Sequence, residues 1–219
     1  MAGKDEIMTV LSVVLAAVLA YLIGSVNFAI ITSKLFAQKD IRDYGSGNAG
    51  MTNVLRILGK GPAVLVTAGD FLKGVAAIAL GRWLGQLIGG EVPFYMDHIV
   101  ALAATLGHCF PIFYKFKGGK GILVSAGIIL MTHPLVLVAQ LLIFLVLVLA
   151  TRIVSVGSLS VAVAYPILVL IIDLVSGTPH AAADVLSALV RAAIVIWMHR
   201  GNVKRLANGT ENRFGQKKA

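Results

Sequence analysis

The sequence predicts an all-α integral membrane protein with about seven transmembrane helices. Of its 219 residues, 58% are hydrophobic, and the mean hydropathy is +0.90. Both values lie well above those of ordinary soluble domains. Apolar runs long enough to cross a bilayer recur along the whole chain, and the polar segments between them are too short to build a soluble domain. We therefore predict a single membrane domain over residues 1–219.

The predicted spans follow the apolar runs in order. They cover about residues 8–36, 63–84, 98–113, 122–131, 135–150, 159–174 and 185–198. The first run continues past the usual core of a signal peptide without a clear cleavage site, so we interpret it as a retained span; a cleaved signal peptide is the alternative. The fourth run is short, which suggests a tilted or partial crossing.

Two charged residues lie inside the second predicted span. Asp70 and Lys73 are three residues apart, on one helix face, and charges in a membrane helix usually turn inward towards a partner. We expect them to pair with each other, in either a structural or a site-lining role. His108, near the end of the third span, is interpreted as a packing or interfacial residue rather than a catalyst.

The first polar loop, residues 44–50, is rich in glycine and leads into a helical pattern. Glycines let successive N–H groups turn to one side, and a helix start is electropositive, so this loop suits an anion such as phosphate. Arg56 follows closely enough on the helix to reach the same ligand. A plain polar turn is the alternative. The short polar side chains here are Ser46, Asn48, Thr52 and Asn53.

Three further polar segments carry candidate residues. Residues 115–121 place Gly119 and Lys120 in a second glycine loop, which lacks the spacing and the preceding strand of a nucleotide-binding P-loop. Ser155 lies in the break between the fifth and sixth spans. His199 and Asn202 follow the seventh span and share a face if the helix continues.

The basic residues predict the orientation of the chain. With seven spans, all four polar segments fall on one side, which holds about fifteen of the 19 lysine and arginine residues. Positive loops stay inside, so the N-terminus is predicted outside and the C-terminus in the cytoplasm. Four segments that are distant in sequence would then converge on the cytoplasmic face.

Composition excludes several classes of function. The single Cys109 excludes an intrachain disulfide, and paired Cys or closely spaced Cys and His ligands for a metal are missing. The net charge of +9 sits in short clusters beside apolar runs, which favours membrane orientation and anionic ligands over nucleic acid.

Three motifs carry a resemblance to a known family. Residues 45–53 read GSGNAGMTN and are followed by Arg56, residues 107–121 read GHCFPIFYKFKGGKG, and residues 199–202 read HRGN. In this order and spacing they resemble the bacterial membrane acyl-phosphate:glycerol-3-phosphate acyltransferase family, PlsY. The resemblance runs from the first span to Arg213.

The resemblance implies a seven-helix enzyme of the bacterial cytoplasmic membrane with its active site on the cytoplasmic face. Such an enzyme moves a fatty acyl group from long-chain acyl phosphate to the 1-hydroxyl of glycerol 3-phosphate, giving lysophosphatidic acid and phosphate. It implies no cofactor, no metal and no nucleic-acid partner; its partners are the two substrates and membrane lipid.

The resemblance also implies roles for individual residues. His199, Asn202 and Ser46 are the expected catalytic residues, and Arg56 and Lys120 the cationic clamps on phosphate. The general base stays open between His199 and a substrate phosphate. The remaining expected substrate-binding residues are Asn48, Thr52, Asn53, Gly119 and, as a weaker match, Ser155.

An anion carrier is the rival from another class of protein. Seven spans, glycine-broken loops and an intramembrane Asp70–Lys73 pair would suit one. However, the sequence shows no internal repeat, and its polar residues gather at one face instead of the midplane where carriers bind their substrates.

Overall fold

The computed structural model describes residues 2–214, and within this range the chain folds into α-helices without a strand. Met1 and residues 215–219, including two lysines of the predicted basic tail, lie outside the described residues. The helices are α1 Ala2–Ser25, α2 Phe28–Ala37, α3 Met51–Leu58, α4 Lys60–Leu84, α5 Met96–Cys109, α6 Ile122–Thr132, α7 Pro134–Thr151, α8 Val154–Ser176, α9 Ala181–Met198 and α10 Arg200–Ala207.

Six segments are long and apolar enough to cross a membrane. They are Gly3–Ala37, Lys60–Gly89, Met96–Tyr114, Pro134–Thr151, Val154–Ser176 and Ala181–Met198. The remaining predicted span corresponds to α6, whose 11 residues reach about 16 Å against a hydrocarbon core of about 30 Å. The all-helical prediction is confirmed, whereas the seventh crossing stays a prediction.

The first predicted span is divided into two helices at Asn27. This buried side chain accepts a hydrogen bond from the N–H of Ile30 at 3.0 Å, so it caps the start of α2. It also donates to the carbonyl oxygen of Ala49 at 3.5 Å. A polar side chain inside an apolar run thus ends one helix, starts the next and contacts the first glycine loop.

The chain forms two compact units, Met1–Thr132 and His133–Ala219. In the first unit, helices approach closely where glycines lie at their contacts. A Cβ on Gly24 of α1 would overlap the backbone of Ala104 in α5, and one on Gly127 of α6 would overlap the carbonyl of Phe71 in α4. Small residues at helix contacts are typical of membrane bundles, in which close van der Waals packing drives association.

The second unit packs α7, α8 and α9 as neighbours joined by short turns, so consecutive helices run in opposite directions. Gln140 on α7 donates to the carbonyl of Val161 on α8 at 3.0 Å, and Arg191 on α9 donates to the hydroxyl of Tyr165 on α8. Within this unit, the end of α9 and the start of α8 therefore lie at one end, and the α8–α9 turn lies at the other.

Candidate active site

Asn53, in the first turn of α3, makes the central hydrogen bonds to the first glycine loop. Its side-chain amide donates to the carbonyl oxygens of Ile41, Tyr44 and Asn48 at 3.1, 2.9 and 3.2 Å. Its side-chain oxygen accepts the N–H of Ser46 at 3.0 Å, and the residue is only 1% exposed. The structure therefore places Asn53 beneath the loop, where it sets the path of the backbone; direct substrate contact by Asn53 stays a prediction.

The loop itself depends on glycine. Gly45 and Gly47 have φ values of +61° and +69°, a region that L side chains rarely adopt, and a Cβ on Gly45 would overlap the side chain of Asn53. The loop leaves Ser46 exposed and Asn48 and Thr52 partly buried.

The first helix after the loop is open to an anion at its N-terminus. Helix α3 begins after Gly50, and no side chain caps it. In this first turn the N–H of Asn53 already donates to the carbonyl of Gly50 at 3.0 Å. The N–H groups of Met51 and Thr52 lie before the first intrahelical bond, which is the usual basis of phosphate binding at a helix start. Arg56, two residues before the end of α3, is exposed and donates to the side-chain oxygen of Asn53 at 3.3 Å. The structure thus places the predicted arginine clamp beside the loop.

An ion pair that the sequence analysis missed joins the segment just before the first loop to the second loop. Arg42 bonds Asp40 through Nε at 3.0 Å and Nη2 at 2.7 Å, and its Nη1 donates to the carbonyls of Tyr114 and Lys117 at 2.8 and 3.2 Å. The Arg42 hydrogen bond lowers the pKa of Asp40 below its usual value. The pair therefore stabilises the fold fully at pH values above the usual pKa of aspartate. That stabilisation is lost as the pH falls through the lowered pKa of Asp40.

The second glycine loop is anchored on the end of α5. The N–H groups of Gly118 and Gly119 donate to the carbonyls of Cys109 and His108 at 3.2 and 3.1 Å. A Cβ on Gly119 would overlap the ring of His108 and lie 2.9 Å from the carbonyl oxygen of Ala49 in the first loop. The two glycine loops are therefore in contact, and Lys120 follows directly from that contact.

A buried charge network supports both loops. The ammonium of Lys73 lies 2.8 Å from the carboxylate of Asp70, 2.9 Å from Nδ1 of His108 and 2.7 Å from the carbonyl of Val26. The side chains of Asp70 and Lys73 are 1% and 3% exposed. This confirms the predicted Asp70–Lys73 pair. The ring of His108 is buried under Gly119, and its assignment as a packing residue rather than a catalyst stays a prediction.

The other three predicted residues belong to the second unit and lie at one end of it. His199 stands between α9 and α10, and the helix does not continue through it: α10 starts anew at Arg200. Nδ1 of His199 is 2.8 Å from the carbonyl of Val195, which can only accept, so the Nδ1–H donates this hydrogen bond. The hydroxyl of Ser155, in the first turn of α8, is buried without a hydrogen-bond partner.

Asn202 is joined to a residue of the tail that the sequence analysis did not single out. Its side-chain amide donates to Glu211 at 3.1 Å, and Arg205 donates to the other carboxylate oxygen at 2.9 Å. The N–H of Phe214 reaches the carbonyl of Arg152 at 2.8 Å. Nothing in the local sequence pattern distinguishes Glu211, because the contact depends on how the tail folds back.

Comparison with known proteins identifies the family. A family profile described as "Glycerol-3-phosphate acyltransferase" matches residues 14–209. The chain belongs to the glycerol-3-phosphate acyltransferase family. Among curated members, the glycerol-3-phosphate acyltransferase of Syntrophomonas wolfei is 42% identical over 200 residues, which is 91% of this chain and 96% of that protein. The one from Thermoanaerobacter pseudethanolicus is 41% identical over 204 residues, covering 93% and 96%.

Solved structures of this family show the same fold. The chain matches the crystal structure of PlsY (YgiH), an integral membrane glycerol 3-phosphate acyltransferase, in its glycerol 3-phosphate form with a TM-score of 0.80 and 36% identity. It matches the lysophosphatidic acid form with a TM-score of 0.78 and 34% identity. Each match covers 93% of this chain and 96% of the other. The predicted family is therefore confirmed, and the chain is an acyltransferase family member with an integral membrane fold.

The role of Asn53 leads to a test of loop order. Asn53→Asp would face the carbonyls of Ile41, Tyr44 and Asn48 with a carboxylate in place of N–H donors, and leaving buried polar groups unmatched costs about 1–3 kcal/mol. We expect amide hydrogen exchange in residues 44–50 to accelerate roughly tenfold to a hundredfold. The exposed Asn208→Asp serves as the control and should leave these rates unchanged. Wild-type exchange in the Asn53 variant would contradict the assigned role.

Proposed function

We propose that this protein transfers a fatty acyl group from long-chain acyl phosphate to the 1-hydroxyl of glycerol 3-phosphate, forming lysophosphatidic acid and phosphate. The observation that carries this proposal is the contact between the two glycine loops. One loop leads into the uncapped start of α3, which bears Arg56, and the other bears Lys120. Both substrates carry a phosphate group, and these are the groups that bind phosphate. The solved relatives in glycerol 3-phosphate and lysophosphatidic acid forms support the same substrate and product.

The two loops are assigned to phosphate binding. Ser46, Asn48 and Thr52 add side-chain hydrogen bonds to those of the backbone, and Gly119 allows the second loop to approach the first. Arg56 offers a planar fork for two phosphate oxygens, while Lys120 acts as a compact positive charge. Charge-assisted bonds of this kind are stronger than neutral ones, so the two cations account for much of the substrate affinity.

The reaction needs little covalent help from the protein. The 1-hydroxyl oxygen of glycerol 3-phosphate attacks the acyl carbon, the bond from that carbon to the phosphate oxygen breaks, and phosphate leaves with the electron pair. Because acyl phosphate is already activated, positioning of the hydroxyl and stabilisation of the oxyanion supply most of the rate. Ser46 and Asn202 are assigned as hydrogen-bond donors in this step.

His199 and Ser155 are assigned to holding the acceptor. The Nδ1–H tautomer of His199 presents Nε2 as an acceptor for a hydroxyl of glycerol 3-phosphate. A phosphate group of a substrate then takes the proton, since its second ionisation lies near pH 6. The unpartnered hydroxyl of Ser155 supports a polar ligand at that position.

The membrane arrangement follows the distribution of charge. We assign seven crossings, with α6 as a short one, the N-terminus outside and the C-terminus in the cytoplasm of a bacterium. The active site then faces the cytoplasm. The whole chain acts as one membrane domain that uses no cofactor and no metal in the reaction.

Donor specificity tests the proposed reaction. Purified protein in detergent should form lysophosphatidic acid from palmitoyl phosphate and glycerol 3-phosphate, and none from palmitoyl-CoA. A carrier would form no ester at all. Equal rates with the two donors would overturn the assignment of acyl phosphate.

The two cations give the second functional test. Arg56→Ala and Lys120→Ala each remove a charge-assisted contact of about 1.5–3 kcal/mol, so kcat/KM should fall roughly tenfold to over a hundredfold. Arg56→Lys should recover only part of the loss, because lysine lacks the planar fork. Lys60→Ala, at an exposed lysine at the start of α4, is the matched control and should keep wild-type kinetics. Wild-type kinetics in both Arg56→Ala and Lys120→Ala would contradict the proposed phosphate-binding roles.

The pH profile of His199→Gln separates positioning from general-base catalysis. Glutamine keeps a hydrogen-bonding side chain, so a positioning role leaves appreciable activity and an acidic limb near pH 6 that is set by substrate phosphate. A general base would contribute roughly 10²–10⁴ in rate, and its loss would remove the limb. We expect the first pattern in kcat measured against pH; a nearly inactive variant without an acidic limb would show that His199 is the base.

A further inference from the structure

We propose that His133, Asp173 and Asp184 form a binding site for one divalent transition metal ion, best suited to Zn²⁺. The three residues belong to the second unit and come from three helix ends. His133 directly precedes α7, Asp173 lies in the last turn of α8, and Asp184 lies in the first turn of α9. The site is separate from the acyl-transfer residues and does not depend on the proposed function.

The spacing of the three side chains fits metal ligands. One ligand atom from each residue lies within 4.8 Å of the others. Nε2 of His133 is 3.5 Å from Oδ1 of Asp173 and 3.9 Å from Oδ1 of Asp184. Two atoms bound tetrahedrally to zinc at about 2.0–2.1 Å are roughly 3.4 Å apart, so only small side-chain movements would complete the coordination.

The same distances are poor for direct hydrogen bonding. A normal N–H···O bond measures about 2.7–3.2 Å, and both contacts of His133 are longer. The side chain of Asp173 is only 3% exposed, and its Oδ2 has no hydrogen-bond partner. A buried carboxylate in this condition is costly unless a cation neutralises it. This unpartnered oxygen is independent evidence for a missing ligand.

The nearby arginine does not supply that cation. Arg191 on α9 is buried, but its guanidinium donates to the carbonyl of Ser187 and the hydroxyl of Tyr165. Within the described residues it makes no ion pair with Asp173, whose ion-pair contact is with His133. The Asp173 carboxylate therefore faces a histidine at metal-ligand distance, and among residues 133–214 of this unit no lysine or arginine is recorded as forming an ion pair with it.

The donor set indicates the class of metal. One imidazole nitrogen with two carboxylates suits Zn²⁺ and its transition-metal neighbours, and a water molecule completes a tetrahedron. Mg²⁺ and Ca²⁺ prefer oxygen ligands throughout and higher coordination numbers. The site therefore favours zinc over the alkaline-earth ions.

The position in the unit indicates a structural role. Asp184 and His199 are separated by nearly the whole length of α9, about 22 Å at 1.5 Å per residue. An ion at His133, Asp173 and Asp184 cannot touch groups bound at His199. It would instead clip the start of α7, the end of α8 and the start of α9 together, and would stabilise the bundle without joining the reaction.

Zinc titration of the full chain tests the site. Protein purified in detergent and stripped with EDTA is titrated with ZnCl₂ in competition with a chromophoric chelator. We expect one equivalent to bind, and Asp173→Asn or Asp184→Asn to weaken binding by about a hundredfold or more, since even residues outside the coordination shell contribute 10–100-fold. His180→Gln removes an exposed histidine from the neighbouring turn and should leave the affinity unchanged.

Thermal unfolding with and without zinc is a second measurement, which distinguishes loss of zinc binding from poor folding of a variant. Zinc at about 100 times its Kd should raise the unfolding midpoint of the wild-type protein by roughly 5–10 °C and leave that of Asp173→Asn unmoved. Asp173→Asn removes a buried charge, so its metal-free midpoint should be at least that of the wild type. Equal zinc affinity in wild type and variants, or loss of binding in His180→Gln, would overturn the proposal. Acyl transfer should persist in EDTA. Activity without the metal would show that this site takes no part in the reaction.

Discussion

The need to satisfy a buried ammonium group organises the first unit. A charged lysine between membrane helices is stable only if its N–H groups have acceptors, and Lys73 has three: Asp70 on its own helix, the carbonyl of Val26 at the α1–α2 break, and His108 near the end of α5. These contacts join three parts of the chain that are distant in sequence. They also hold the ring of His108 where Gly119 rests on it.

This network also limits the space in which the two glycine loops pack. Gly119 lies between the His108 ring and the backbone of Ala49, a gap with no room for a side chain. Gly45 and Gly47 turn the first loop through a left-handed backbone, and Asn53 holds the turn from below. In the phosphate site proposed above, the binding groups would be backbone N–H groups held by these contacts, together with Arg56 and Lys120. Groups held in position before substrate binds favour catalysis by positioning.

The second unit carries two clusters of polar side chains, which lie at opposite ends of its helices. One end carries His199 and Ser155, which are assigned to the acceptor, and Asn202, which is assigned as a hydrogen-bond donor in acyl transfer. The other carries His133, Asp173 and Asp184, which are spaced for a metal ion. Both clusters lie at helix ends. The polar side chains nearer the helix middles, such as Gln140 and Arg191, are hydrogen-bonded to a neighbouring helix, because unpaired polar groups in hydrocarbon are costly.

The sequence alone determined the helical class, the approximate positions of the long apolar helices, the family and the candidate residues, because apolar runs and glycine-rich motifs are local signals. It missed the break at Asn27 that divides the first predicted span into two helices. It also predicted the Asp70–Lys73 pair, since three-residue spacing on a helix is local. Only the tertiary structure revealed that Asn53 lies beneath its loop, that Arg42 bridges the two loops, that Glu211 binds Asn202 and that three helix ends bring His133, Asp173 and Asp184 together. Each of these depends on contacts between residues far apart in the chain, whose geometry is set by packing and leaves no periodic signal in the sequence.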